Sequence, residues 1–248
     1  MDRAPLGVAG RMSRNSKIVL AVVAVLVVVG GGVAALLLLG GGDGPEELTF
    51  DDATPTTADG GTTSAPSGGA TGGDELDGTW VLSDRSTAGY RVLEDRIGGL
   101  ANIEAVGRTN KVTGGFTVAG EQVSDITATV DVASITSDSS FRDGAFRTRI
   151  MDAEQFPTAT FTAQPVTVTQ LPADGATVEI PVDGTLTLKG EARPVTTTLQ
   201  VKRAGAELQI LGSIPVTFSD FGIETPQPPG LSVRDNGTVE FLLVATRS

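Results

Sequence analysis

The chain has 248 residues and a formal net charge of −12, with neither histidine nor cysteine. Without those two residues there is no imidazole base for a Ser-His-Asp triad, no thiol nucleophile, no disulfide and no imidazole- or thiolate-held metal. Eighteen basic residues against 30 acidic ones form no basic stripe to neutralise phosphates, so nucleic acid is not an expected partner.

Residues 1–17 carry Arg3, Arg11, Arg14 and Lys17 against the single acid Asp2. Ile18 to Leu39 then runs for 22 residues without a charge, which as a helix makes roughly 33 Å, enough for a hydrocarbon core of about 30 Å. The segment 18–39 reads as a retained transmembrane helix. The alternative is a cleaved secretory signal, but the apolar part of such a signal spans only about 7 to 15 residues, and no small-x-small cleavage site follows this one. Basic residues before the span and only acids soon after it (Asp43, Glu46, Glu47, Asp51, Asp52) place the N-terminus in the cytoplasm and the remainder outside. Residues 40–77 are mostly Gly, Thr, Asp, Ala, Ser and Pro, with no Lys or Arg. They have too little apolar surface to offset ordering, and are expected to form a disordered linker with a root-mean-square span of roughly 30 to 40 Å.

From Gly78 to Ser248 the chain reads as strands and turns. Thr79–Leu82 and Ala88–Val92 are short strand candidates holding the only Trp and the only Tyr. Residues 105–118 follow, bent at Gly107, Gly114 and Gly115, and the turn Ala119-Gly120 leads into 123–135. Between Val130 and Phe161 the period of two breaks off: Phe141, Ala145, Phe146 and Met151 fit one apolar face of a short helix, N-capped by Ser137 or Asp138 and closed before Pro157. Further strands are expected over 158–169, over 177–188 with a break or edge at Pro181, over 195–202 and over 207–218. After a Pro-rich loop, Asn236-Gly237 is expected to turn the chain into a last strand over 238–246. Eight or nine strands at this spacing predict an all-β fold, an antiparallel barrel or sandwich with a short helical insert.

Three phrases carry a family resemblance. Ser134 to Phe161 (SITSDSSFRDGAFRTRIMDAEQFPTATF), Gly184 to Val195 (GTLTLKGEARPV) and Asp220-Phe221-Gly222-Ile223 resemble phrases of the YceI-like domain and occur in its order. Together they span most of 78–248, and the segment resembles that family. The resemblance implies a lipocalin-like antiparallel barrel holding a long isoprenoid or similar lipid tail in its pore, with no catalytic residue set and no cofactor. Many members keep a histidine in the first strands, so with none in this chain no head-group contact by that residue carries over.

Burying about ten methylenes releases roughly 8 kcal/mol gross, so an apolar lining by itself suffices for tail binding. The candidate lining residues are Phe116, Ile126, Val130, Phe161, Leu186, Leu188, Leu199, Ile210, Ile214, Phe241 and Leu243. Arg142 and Asp143 fit either a head-group contact at the mouth or a staple for the helical insert, the structural role being preferred, and Asp220 is expected to hold a turn. The expected function is that of an extracytoplasmic, membrane-tethered lipid-binding protein. Two other readings stay open: an envelope interaction module with a filled core, and an enzyme using carboxylates such as Glu104, Glu121, Asp183 or Glu191, none of which the spacing singles out.

Overall fold

A computed structural model of the chain describes residues 44–53, 76–96, 102–227 and 231–248. The expected cytoplasmic segment and span over 1–39, and the linker over 40–43 and 54–75, lie outside these residues. Among the described residues no helix is long and apolar enough to cross a membrane.

Eleven strands follow in chain order: β1 Gly78–Leu82, β2 Thr87–Arg96, β3 Asn102–Thr109, β4 Val112–Ala119, β5 Gln122–Asp131, β6 Thr158–Ala163, β7 Val166–Thr167, β8 Thr177–Leu188, β9 Glu191–Ala204, β10 Glu207–Thr217 and β11 Leu231–Arg247. Eight of them, in the order β1-β4-β5-β6-β8-β9-β10-β11, form a ring that closes through β11 on β1, with Trp80 opposite Arg247. Every strand pairing is antiparallel, which yields the expected closed barrel. Past β1, the same edge of β11 is taken up by β2, on which β3 pairs. Closure removes the two edge strands an open sheet would have, leaving the part of β8 before Gly184 without a strand on its β6 side.

Period-two patterning sets which face looks inward. In β8, Val178, Ile180, Val182, Leu186 and Leu188 point to the lumen while Thr177, Glu179, Pro181 and Asp183 face out and are exposed. Pro181 does not break this strand. It pairs with Thr198 of β9, while on the other edge β6 reaches only to Gly184, so its missing N–H leaves no ladder bond unmade. Inside the barrel, one apolar cluster gathers around Trp80, Val118, Val201 and Leu208, and another around Leu186, Ile214, Phe146 and Met151 at the end carrying the insert.

The insert between β5 and β6 contains α1, Ser140–Ala145, followed by a π turn over Phe146–Ile150. Its N-cap is Ser139, whose hydroxyl accepts from the Arg142 N–H at 3.3 Å, rather than Ser137 or Asp138. Ser137 binds the Asp143 carboxylate instead. Phe146 and Met151 are buried as the apolar face requires, but Phe141 is 85% exposed, because the switch from α to π winding after Ala145 breaks the single helical period that would have put it on their face.

Two further expectations need correction. Asn236-Gly237 makes no hairpin turn: both lie within β11, beside a register irregularity between Val233 and Gly237. Glycine is needed there for close approach, since a Cβ at 237 would sit 2.6 Å from the Phe218 ring and 2.7 Å from the Arg91 carbonyl oxygen. Disorder is expected throughout 40–77, yet residues 44–53 pack along the outer wall and end in a 3₁₀ turn over Phe50–Ala53. The reason lies in β11, where Glu240, Leu242 and Val244 face outward and are buried. An outer apolar strip of that kind has to be covered, and Leu48 and Ala53 cover it.

Candidate functional site

The lumen holds two chambers, of about 160 Å³ and about 270 Å³. They share Ala88, Val130, Ala159, Leu188 and Val239 as wall, so the two adjoin across these residues. The first is bounded at the far end by Leu76, Leu171 and Pro172, and apart from Thr127 and Thr160 its lining is aliphatic, aromatic or glycine. An apolar void of this order stays dry, which leaves it open to a hydrocarbon guest.

All eleven lining candidates border the first chamber, and Val130 and Leu188 border the second as well. The barrel makes this possible because successive strands present alternate residues to one lumen. Small residues keep the lumen from filling. Gly212 lies opposite Phe241 in the β10–β11 ladder, and a Cβ there would be 2.6 Å from the Phe241 ring, so the aromatic ring lies flat against the wall.

The second chamber lies beneath the insert and has a polar rim. Tyr90 and Glu94 project into it from β2, and Ser139, Phe141 and Arg142 from the insert. Arg142 donates through Nε to Glu94 at 3.3 Å and through Nη1 to Asp138, which ties the insert to the barrel across the rim. Asp143 accepts from the Ser137 N–H at 2.8 Å and its hydroxyl at 2.7 Å, fixing the start of α1. Both partners therefore have the structural role preferred for them, and Arg142 in addition borders the chamber. Asp220 is exposed, and the turn it was expected to hold is tied by Asp235, which accepts from the Ser219 N–H and hydroxyl.

Tyr90 stacks on Phe146 with ring centroids 4.9 Å apart, and burial pushes its phenol up to about 12. Between pH 10 and 12 the unfolded chain ionises this group while the folded chain keeps the proton. Stability should therefore fall through that window by up to about 1 kcal/mol per pH unit. Tyr90 is the only tyrosine, so the tyrosinate absorbance reports it alone. Denaturant melts of Tyr90→Phe should lack this part of the alkaline loss, and an equal loss in both proteins would contradict the burial of the phenol.

Tyr90 and Glu94 are not among the sequence candidates, although one signal points to them: Ala88, Tyr90, Val92 and Glu94 share one face of β2, and an acid at the end of an otherwise inward apolar series marks a mouth. The four carboxylates considered for catalysis do not converge. Glu104 binds Arg91 on the outer wall, Asp183 accepts from Thr196 at 2.6 Å on the outer face, and Glu121 and Glu191 stand at the two opposite ends of the barrel. None borders either chamber.

Residues 84–245 match the YceI-like domain family. No curated protein matches the chain. Among solved structures, a polyisoprenoid-binding domain from Saccharophagus degradans implicated in plant cell wall breakdown is 18% identical, covering 68% of this chain and 98% of its own, with a TM-score of 0.54. BcnA of Burkholderia cenocepacia is 22% identical, covering 66% of this chain and 99% of its own, with a TM-score of 0.51. Both share the fold of this barrel. With the match running from Asp84 to Ala245, from the turn after β1 almost to the end of β11, the chain belongs to the YceI-like domain family.

Proposed function

We propose that this chain is an extracytoplasmic lipid-binding protein, tethered by residues 18–39, that holds an isoprenoid or similarly long apolar tail in the barrel. The observation that carries the reading is the pair of adjoining chambers with Ala159 and Val130 in their common wall, charged side chains lining only the one beneath the insert. A single polar end suits a lipid with one polar terminus: the tail lies in the first chamber and the head sits near Tyr90, Glu94 and Arg142. Binding of this kind requires no cofactor and no bond-making residue. The polyisoprenoid-binding description of the Saccharophagus relative supports the ligand class.

Organic extraction of the purified chain followed by mass spectrometry tests the reading. A prenyl or fatty lipid near one per chain is expected. An empty barrel that takes up no added polyprenol would overturn it in favour of an interaction module.

A further inference from the structure

We propose that Glu94 selects the head group: the second chamber takes a tail that ends in a free hydroxyl, whose O–H donates to the Glu94 carboxylate, and refuses tails that end in a phosphate. The selection presupposes the lipid-binding reading above, and gives its ligand a polar end.

Glu94 lies on the inward face of β2 and borders the second chamber, yet it is only 7% exposed. Among the described residues its one partner is Arg142, whose Nε donates to Oε1 at 3.3 Å, a long bond for a charged pair. Oε2 accepts from nothing, although Tyr90, Ser139 and Thr225 bring hydroxyls to the same chamber. A carboxylate has about four lone-pair sites, and one withdrawn from water is costly to leave half satisfied. A donor that arrives with the ligand is therefore worth more to Glu94 here than it would be in solvent. Arg142 Nη2 is likewise without a partner, since the other contacts of that guanidinium, to Ser137 and Asp138, go through Nη1. A hydroxyl suits both groups that the single Arg142–Glu94 bond leaves over, because it donates and accepts at once.

Charge turns an anion away. Arg142 is the one cation in the lining, and its charge is already met by Glu94 and Asp138. Arg147 and Arg149, the other cations of the insert, do not border the chamber. Asp143 adds a third acid, buried behind Ser137. Tyr90 samples the resulting field, because its own ionisation would put an anion into this chamber. Burial opposes that anion, Asp143, Glu94 and Asp138 oppose it further, and Arg142 alone favours it. A phosphate monoester would bring about 1.5 to 2 negative charges to the same surroundings. A hydroxyl brings none.

Competition among three ligands with one tail tests the selection. The purified full chain, stripped of lipid, is offered an equal mixture of geranylgeraniol, its monophosphate and its methyl ether, and what it retains is measured by mass spectrometry. The alcohol should be retained over each of the others by about tenfold or more, the worth of one hydrogen bond to a buried charge. Glu94→Gln should erase most of the preference over the phosphate. Glu94→Asp keeps the charge on a shorter side chain, so it should still refuse the phosphate while no longer separating alcohol from ether. Phosphate or ether retained by the parent as well as the alcohol would overturn the inference and leave the lipid reading standing. A preference untouched by both variants would overturn the role of Glu94, as would an equal loss of all three ligands in a folded variant. Retention of none of the three by the parent would sink the lipid reading, and this inference with it.

Discussion

Ala159→Phe should leave the barrel folded and strip most of the long-tailed lipid from it. Ala159 lies opposite Val130 in the β5–β6 ladder, and both residues belong to the wall the two chambers have in common. A phenyl ring at this point enters existing void rather than a filled core, so stability should change by no more than about 1 to 2 kcal/mol. A tail that runs from one chamber to the other past this wall, by contrast, is blocked. If about five methylenes lose their place at about 0.8 kcal/mol each, some 4 kcal/mol of gross binding disappears, close to three orders of magnitude in Kd. Titration with a polyprenol, together with lipid recovered by extraction, measures the effect. Full recovery in a cooperatively melting variant would mean that no tail runs through the junction.

The barrel was readable because its inward sets are regular. β8, β9 and β10 alternate over 12, 14 and 11 residues, and any register slip would turn the whole apolar set outward. The same regularity is why a lining list drawn from alternation falls around one chamber. What alternation does not reveal is anything on the outer wall. In β11 Glu240, Leu242 and Val244 belong to the polar face by parity, and only the strap that covers them, residues 44–53, explains an apolar pair there. The strap is hidden by its own composition: Leu48, Phe50 and Ala53 are three anchors in a run otherwise resembling a disordered linker, and their partners lie about 190 residues away. Asn236-Gly237 misleads for a related reason. The dipeptide most suited to a tight turn is used here for a close approach to Phe218, and the local sequence is the same in both cases. Phe141 was placed on the buried face of a uniform helix, and the π turn that follows shifts the register of that face.

Glu240→Ala should be the most destabilising single change on the outer wall. The Glu240 carboxylate is 6% exposed and accepts from Arg91 Nε at 3.0 Å and Arg108 Nε at 2.7 Å, while the Arg91 side chain is 9% exposed. Burial works against the Arg91 charge, and Glu240 and Glu104 outweigh it, holding the guanidinium above its ordinary pKa. Removing Glu240 leaves a buried cation with Glu104 alone, at a loss of about 3 kcal/mol, the lower end of the range for a broken buried pair. For a domain of this size that corresponds to a fall in Tm of about 10 °C. The pair Arg91→Met and Glu240→Leu should behave differently, since exchanging both charges for apolar groups of similar volume is often nearly neutral. Its barrel should melt close to the parent, since the Arg108 and Glu104 left behind reach solvent, but the Pro45 carbonyl loses its guanidinium donor and the Glu46 carbonyl keeps only that of Arg108, so residues 44–53 loosen. A glutamate-specific protease should then cut at Glu46 or Glu47 well before the barrel unfolds, whereas in the parent that cut has to wait for local opening. Equal cutting of both proteins would show that the ion cluster does not hold the strap, and a Glu240→Ala barrel as stable as the parent would show that the Arg91 charge finds its compensation elsewhere.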